Sequence, residues 1–317
     1  MKAFALIGAD QPAALVDLPD PEVPAEGGVL IRARAASVNG FDVFEANGYL
    51  VPMMPHDFPV IVGRDVAGVV EAVGAGTTDV AVGDRVMGFI PSTPPLHRGT
   101  WSELVPAGPD VVITPMPAGL SFEVAAAIPL AGATALDSVD AAEVAAGDVV
   151  LVVGATGGVG SIAVQLAAQR GATVIATAKA GDEAAFVRSL GAIETIDYTT
   201  VDVASAVAAQ HPAGIDVLLD FVSRDEAFAV VSALVRAGGR IATTLSVADV
   251  EALAADGLHG TNVRGDPTRE KLADLAARVA AGTLRIEIQR TFPLDEAAAA
   301  LSAFSGGTRG KLVMLVG

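Results

Sequence analysis

The sequence predicts an α/β protein in which a doubly wound parallel sheet is inserted into a β-rich, partly barrel-shaped domain. Near the middle of the chain, a valine-rich run leads into a glycine turn and then a helix. After residue 121, short apolar strands alternate with alanine-rich helices, a pattern typical of parallel sheets with helices on both faces. The first 120 residues instead carry β-type runs broken by proline and glycine.

The glycine turn lies within Asp148–Gly160, whose sequence is DVVLVVGATGGVG. Val149–Val153 has the composition of a strand buried on both faces, and a helical pattern follows the turn. The first N–H groups of such a helix suit a pyrophosphate, and side chains would block its approach. The six-residue glycine fingerprint is met only in part, as Ala155-x-Gly157-x-x-Gly160. An ordinary strand-to-helix connection therefore remains an alternative to a dinucleotide site.

Composition sets limits on the class of protein. A chain of 317 residues with 52% hydrophobic residues can form two domains with sizeable cores. The absence of cysteine excludes disulfides, thiolate nucleophiles and cysteine-ligated zinc. A formal net charge of −17 argues against nucleic acid and anionic membranes as partners. Asp10 and Pro12 interrupt the N-terminal apolar run too early for a signal peptide, so we expect a cytoplasmic protein.

The order of predicted elements gives the domain boundaries. Residues 1–120 together with 258–317 are predicted to form the β-rich domain, and residues 121–257 the dinucleotide-binding domain. The closing run KLVMLVG has the pattern of a strand and is compatible with pairing in the sheet of either domain. In doubly wound sheets, ligands bind outside the carboxyl ends of the strands, so we expect the ligand in the crevice between the domains.

Several motifs taken together resemble the medium-chain dehydrogenase/reductases. Beside the glycine turn these are SVNGFD from Ser37, GRDVAGV from Gly63, VGDRV from Val82, LAGATA from Leu130 and TRGK from Thr308. The resemblance covers essentially the whole chain and is greatest to the zinc-free quinone oxidoreductase branch, the zeta-crystallin-like enzymes. It implies a Rossmann sheet inserted into a GroES-like domain. It also implies a homodimer joined through the edge strands of the Rossmann sheets.

Zinc is not expected. Zinc-dependent relatives take a cysteine and a histidine ligand from positions that Asn39 and Arg64 occupy here, and neither side chain suits a tetrahedral N/S site. Arg64 either pairs with Asp65 or lines the mouth of the cleft. The four histidines are scattered without metal-ligand spacing, and only His56 is kept as a candidate proton donor.

The expected cofactor is NADPH. An NAD enzyme usually carries a carboxylate at the end of the second strand, whereas Lys179 follows that strand here. A lysine there compensates the charge of a 2′-phosphate. The resemblance adds Tyr198, but Asp182 and Glu183 oppose this assignment, and Lys179 is also compatible with a solvated loop. The predicted cofactor contacts are Thr134, Ala155, Thr156, Gly157, Gly158, Val159, Gly160, Lys179, Tyr198, Val222, Ser223, Thr243 and Thr244.

The resemblance assigns Asn39, Asp42 and Tyr49 to the catalytic site. Asn39 would bind a substrate carbonyl or the nicotinamide region, Asp42 would orient it or relay a proton, and Tyr49 would donate a hydrogen bond to a substrate oxygen. Each also has a structural interpretation, as a turn, a helix cap and a packing residue respectively. The expected small-molecule substrate is a quinone or another activated conjugated carbonyl. Loops 47–58 and 243–265 would decide between a quinone reductase and an enoyl reductase.

Two alternatives to the quinone reductase remain. One is an enoyl reductase of the same superfamily, acting on α,β-unsaturated thioesters or ketones. The other is a non-catalytic NADPH-binding sensor. RNA binding through the Rossmann domain is disfavoured by the net charge of −17.

Overall fold

The computed structural model describes residues 1–317 and divides into two compact units. Unit 1 comprises Met1–Leu130 and Pro267–Gly317, and unit 2 comprises Ala131–Asp266. The first part of unit 1 is rich in short strands because proline and glycine interrupt its apolar runs. Its elements are β1 (Lys2–Leu6), β2 (Ala14–Asp17), β3 (Val29–Ser37), α1 (Gly40–Ala46), β4 (Val60–Ile61), β5 (Asp65–Val73), β6 (Arg85–Phe89), β7 (Leu104–Ala107), β8 (Val112–Pro115) and α2 (Phe122–Ala126).

The middle of the chain alternates strands and helices. The helix α3 (Pro129–Ala141) leads into unit 2. The elements that follow are β9 (Val149–Val153), α4 (Gly158–Gln169), β10 (Thr173–Thr177), α5 (Asp182–Ser189), β11 (Glu194–Ile196), α6 (Val203–Gln210), β12 (Ile215–Asp220), α7 (Asp225–Ser232), β13 (Val235–Thr243), α8 (Val250–Ala255) and β14 (His259–Asn262).

The six strands of unit 2 form one parallel sheet in the order β11-β10-β9-β12-β13-β14. The chain starts at the centre with β9 and fills both sides, which makes the sheet doubly wound, and the predicted fold class is confirmed. Val150, Leu151 and Val152 are fully buried, as a central parallel strand requires. The sixth strand was not predicted, because the sequence HGTN contains no apolar run.

The chain returns to unit 1 after residue 266. The returning elements are α9 (Arg269–Ala280), β15 (Ile288–Pro293), a 3-10 turn (Leu294–Glu296), α10 (Ala297–Ser305) and β16 (Lys311–Leu315). The last strand pairs antiparallel to β3, with Val313 opposite Ser37. The closing strand therefore joins the β-rich unit, and this register brings Lys311 beside Val38 and Asn39.

Unit 1 contains a seven-stranded sheet, ordered β15-β16-β3-β5-β6-β8 with β7 also paired to β3, and a three-stranded sheet, ordered β2-β1-β4. Its core includes Trp101, which is fully buried and donates from Nε1 to the Ser37 carbonyl at 3.2 Å. The Trp101 ring lies 5.8 Å from that of Phe4. No helix of the chain is at once long enough and apolar enough to cross a bilayer.

The predicted domain boundaries at residues 120 and 257 lie before the divisions between the two units. The short helix α2 belongs to unit 1, because it packs against β3 and β5. The strand β14 belongs to unit 2, because it pairs in parallel with β13, with Arg240 opposite His259. Both unit boundaries thus depend on contacts between residues that are distant in sequence, and local composition does not indicate such contacts.

Candidate functional site

The glycine turn of unit 2 connects β9 to α4 and is held by backbone contacts. Gly154 has φ +80°, and its N–H donates to Thr177 Oγ1 at 3.0 Å. A Cβ on Gly160 would lie 2.1 Å from the Gly154 carbonyl oxygen, so only glycine permits this packing of helix against turn. Ala155, in the first fingerprint position, is fully buried.

The N-terminus of α4 offers backbone donors for an anion. The N-cap is Gly157, so no side chain caps this helix of 12 residues. Thr156, Gly158 and Val159 are half-buried at the same turn. The first N–H groups of a helix lack intrahelical acceptors and lie at its positive end. This small-residue turn fits the pyrophosphate of a dinucleotide.

The other predicted cofactor residues follow the neighbouring strands, at the carboxyl edge of the sheet. Lys179 follows β10 and Tyr198, which is 48% exposed, follows β11. Val222 is exposed and Ser223 buried after β12, and buried Thr243 ends β13 just before Thr244. Parallel strands end at one edge of their sheet, so the fold brings these residues to the same edge as the glycine turn.

Thr134 lies on α3, near the start of unit 2. It is buried, and its carbonyl accepts from Ser138 Oγ at 2.7 Å. The backbone of Gly265 packs directly against it, since a Cβ there would lie 2.1 Å from Thr134 Oγ1. Thr134 thus contributes to the packing of α3 against the segment after β14.

Lys179 is not a free cation. Its ammonium lies 3.6 Å from Glu183 Oε1, and its backbone N–H donates to Glu183 Oε2 at 3.0 Å. The lysine side chain is 51% exposed, so this pair is solvated and weak. A 2′-phosphate would compete with Glu183 for the ammonium group.

Asp220 is a buried carboxylate that the sequence analysis did not identify. It ends β12, and its Oδ1 accepts the backbone N–H groups of Val222 at 3.0 Å and Ser223 at 2.9 Å. Its Oδ2 is buried without a partner. Asp220 therefore shapes the loop in which two predicted cofactor contacts lie. The only sequence signal was an aspartate ending an apolar strand.

In unit 1, Asn39 lies in a buried polar network. Its Oδ1 accepts from Lys311 Nζ at 2.5 Å, and its Nδ2 donates to Asp65 Oδ2 at 2.9 Å. Lys311 also donates to the Val38 carbonyl at 2.9 Å, and Ser37 Oγ donates to Asp65 Oδ2 at 2.7 Å. The amide of Asn39, which is 7% exposed, is thus fixed by opposite charges on its two sides.

Asp42 is close to Asn39, whereas Tyr49 lies on the surface. Asp42 Oδ2 accepts the Asn39 backbone N–H at 2.8 Å, which caps α1, so the structure supports the predicted helix-cap alternative. Asp42 is fully buried. Tyr49 is 60% exposed, and its ring lies 5.8 Å from that of Phe44. The predicted catalytic residues thus divide into a buried pair and an exposed hydroxyl.

Arg64 and Glu45 extend the buried network. Arg64 Nη2 donates to Glu45 Oε1, and Arg64 Nη1 donates to the Arg98 carbonyl at 3.1 Å. The guanidinium lies 4.8 Å from the centre of the Phe41 ring. The sequence predicted that Arg64 either pairs with Asp65 or lines the mouth of the cleft, and neither interpretation involved Glu45. Glu45 lies 19 residues before Arg64 in the chain. Nothing in the local sequence distinguishes Glu45 from an ordinary surface glutamate.

The electrostatics of this network are governed by burial. Burial raises the pKa of Asp42 to about 7, and the neighbouring Asp65 adds to the effect. Burial also raises the pKa of Glu45 to about 8, against the opposing influence of Arg64. The pKa of Asp65 is raised and that of Lys311 lowered, again chiefly by burial. The low dielectric thus disfavours the charged form of every one of these groups.

The residues do not fit a zinc ion. Asn39 is committed to Lys311 and Asp65, and Arg64 places a guanidinium in the other expected ligand position. No three His, Asp or Glu side chains come together with the geometry of a metal site. His56 belongs to no group of side chains that could hold a metal ion. Its Nδ1 donates to the Met54 carbonyl at 2.7 Å, and its Nε2 is buried without a partner.

The chain is similar to known proteins along its whole length. Residues 25–164 match the alcohol dehydrogenase GroES-like domain, and residues 190–314 match the zinc-binding dehydrogenase family. A 2-haloacrylate reductase of Burkholderia sp. is 34% identical over 310 residues, covering 92% of each chain.

Two solved structures are similar to this chain over nearly its whole length. The quinone oxidoreductase from Coxiella burnetii superposes with a TM-score of 0.89 at 34% identity, covering 100% of this chain and 99% of that one. Mycobacterial Rv1454c complexed with NADPH superposes with a TM-score of 0.83 at 27% identity, covering 99% of each chain.

A doubly wound parallel sheet inserted into a GroES-like domain defines a class of oxidoreductases. This chain belongs to the medium-chain dehydrogenase/reductase superfamily, in its quinone oxidoreductase branch. It is an enzyme, a reductase of that family, and the family expected from the sequence motifs is confirmed.

Proposed function

We propose that this enzyme uses NADPH to reduce a quinone or another activated conjugated carbonyl, without zinc. When bound, NADPH supplies a hydride from its nicotinamide ring. The observation that most directly supports this assignment is the glycine turn, where the backbone of Gly160 packs against Gly154 and the uncapped N-terminus of α4 offers its N–H groups. The predicted cofactor contacts at the edge of this sheet remain part of the proposal.

The choice of NADPH is supported at the end of β10. Thr177 and Ala178 place no carboxylate there to bind ribose hydroxyls, and Lys179 follows directly. The similar mycobacterial structure is a complex with NADPH. Glu183 opposes this preference because it pairs with the same lysine.

The choice of acceptor follows from the residues around Asn39. The second N–H of Asn39 Nδ2 has only long contacts, to Asp42 Oδ2 at 3.3 Å and Ser37 Oγ at 3.4 Å. This N–H and the exposed hydroxyl of Tyr49 are proposed to hydrogen-bond the acceptor oxygen, on which negative charge develops after hydride transfer. No group in the described cluster polarises an alkoxide as a metal would, so an acceptor activated by conjugation fits better than an alcohol. The similar quinone oxidoreductase supports this class of acceptor.

The test is NADPH oxidation with a panel of acceptors. Fluorescence titration of NADPH and NADH establishes binding, and turnover is then measured with 1,4-benzoquinone, 9,10-phenanthrenequinone, an enone and 2-chloroacrylate. Turnover of the quinones supports the proposal. Exclusive turnover of 2-chloroacrylate or the enone supports the second candidate, an alkene or enoyl reductase, which the similar 2-haloacrylate reductase favours. Binding without any turnover favours the NADPH sensor.

Lys179→Ala is expected to separate the two cofactors. Loss of the ammonium should weaken NADPH binding about tenfold, ~1.4 kcal/mol, and leave NADH binding unchanged, because only NADPH carries the 2′-phosphate. Glu183→Gln should strengthen NADPH binding, since it removes the competing carboxylate of the pair. Lys2→Ala, an exposed lysine of unit 1, is the matched control. Equal weakening of both cofactors by Lys179→Ala would contradict the assignment.

We also propose a homodimer formed through the edge strands of the sheet of unit 2. The edge strands are β11 and β14, and the outer edge of such a strand has unpaired backbone groups available for a second copy. Gel filtration should give the mass of two 31.8 kDa chains. Elution at the mass of one chain would exclude this dimer.

A further inference from the structure

The buried network around Asn39 contains more negative than positive groups. The acidic members are Asp42, Glu45 and Asp65, and the basic members are Arg64 and Lys311, each at most 4% exposed. If all five were ionised, three negative and two positive charges would leave one negative charge without a partner. An uncompensated charge in an apolar interior is costly, and a carboxylate normally avoids it by taking up a proton.

The hydrogen bonds indicate which carboxylates share that proton. Asp65 uses both oxygens, because Oδ2 accepts from Ser37 and Asn39 while Oδ1 accepts from the Leu130 N–H at 3.0 Å. Asp42 Oδ1 and Glu45 Oε2, by contrast, are both buried without any partner. A protonated carboxyl group supplies a donor, which is what two partnerless acceptor oxygens require.

Asp42 and Glu45 are placed to act together. They lie three residues apart on α1, and residues at this spacing share one face of a helix. Both face the interior of unit 1, since neither is exposed.

We propose that Asp42 and Glu45 hold one proton between them, and that Glu45 thereby acts as a positioning residue for Asn39. This inference rests on the proposed function, in which Asn39 contacts the acceptor. With the proton in place the network is neutral, and Asn39 stays between Lys311 and Asp65. Loss of the proton adds a negative charge beside Asn39, which opposes the negative charge developing on the acceptor oxygen.

The surroundings of the pair come from several elements of unit 1. Arg64 before β5 favours the charged forms of both carboxyl groups. Lys311 on β16 favours the charged form of Asp42, and Asp65 on β5 disfavours it. Burial outweighs the cations, raising the pKa of Asp42 to about 7 and that of Glu45 to about 8. The two groups titrate as a pair, so the apparent pKa belongs to both. Activity should therefore fall as the pH rises through this range.

Glu45→Gln tests the proposal, because glutamine keeps the shape and a donor but cannot titrate. We expect the wild-type kcat/KM for the quinone to fall about tenfold per pH unit above the apparent pKa, and the variant to lack this loss up to about pH 9. The ratio of variant to wild type cancels the pH dependence of the acceptor itself. Glu71→Gln, in an exposed pair with Arg32, is the matched control and should keep the wild-type profile.

Infrared spectroscopy provides a readout that does not depend on activity. Wild-type protein should show the carbonyl band of a buried protonated acid at about pH 6, lost on titration to about pH 9, and Glu45→Gln should alter it. Absence of the band, or a variant with the wild-type pH profile, would overturn the proposal. If the variant does not fold, the wild-type band decides. If no acceptor is turned over but the band is present, the proposed function fails while the shared proton stands.

Discussion

Gly160→Ala is expected to weaken NADPH binding strongly while the chain still folds. The new Cβ would lie 2.1 Å from the Gly154 carbonyl oxygen and 2.8 Å from Ala155 Cα, and both are backbone atoms. Neither can move without displacing the turn, so the N-terminus of α4 has to shift away from the pyrophosphate position. We expect the Kd for NADPH to rise about 100-fold, ~2.7 kcal/mol, as measured by fluorescence titration.

Gly306→Ala is the matched control for this effect. Its new Cβ would meet only the Ala303 carbonyl at 3.5 Å, an ordinary contact, and the glycine lies in unit 1 with an αR backbone. The control should bind NADPH as wild type does. If Gly160→Ala also bound NADPH within about threefold of wild type, ~0.7 kcal/mol, the turn would not be the pyrophosphate site.

Arg64→Met is expected to cause the largest loss of stability among single charge substitutions in this protein. The guanidinium and the Glu45 carboxylate are both buried, at 2% and 0% exposure. Methionine leaves that carboxylate without its partner, and breaking one side of a buried ion pair costs about 3–5 kcal/mol. Urea unfolding of the wild type and the variant gives this difference directly.

Two further variants separate the ion pair from simple packing. The double variant Arg64→Met/Glu45→Leu should recover much of the lost stability, because the carboxylate that Arg64 had paired is then removed with it. Arg32→Met breaks the exposed Arg32–Glu71 pair and should cost at most about 1 kcal/mol. Equal losses for the exposed and buried arginines would contradict the argument from burial.

The pH dependence of Arg64→Met has a definite sign. Without the guanidinium, the pKa of Glu45 rises further above its ordinary value, so the folded protein binds a proton that the unfolded chain releases. Stability is then retained at low pH and lost as the pH rises, and the variant should be closer to wild type at about pH 5 than at about pH 8. A loss that was independent of pH would indicate that packing, rather than charge, is responsible.

The parallel-sheet half of the molecule could be predicted well because its signals are local. Three signals follow one another along the chain: the valine run of β9, the glycines after it and the helical spacing of α4. Each of them indicates the conformation of the segment in which it lies. The strand β14 escaped prediction for the same reason: its residues are polar, and only parallel pairing with β13 makes them a strand.

The candidate catalytic half could be predicted only in part. Motif resemblance drew attention to Asn39 and Asp42, but it did not indicate that their side chains would be buried among charges. Glu45 was overlooked, because the short helix α1 has acidic residues of ordinary spacing and nothing in the sequence shows which face points inward.

The sequence by itself thus determined the fold class, the family and the position of the glycine turn, since these depend on periodicity, on small residues at a turn and on motifs read along the chain. Only the tertiary structure decided the environment of Asn39. Lys311 reaches it across 272 residues because β16 pairs with β3, and Arg64 meets Glu45 because the chain folds α1 against the segment before β5. The charge state of a buried group depends on neighbours that are distant in sequence, and topology alone supplies them.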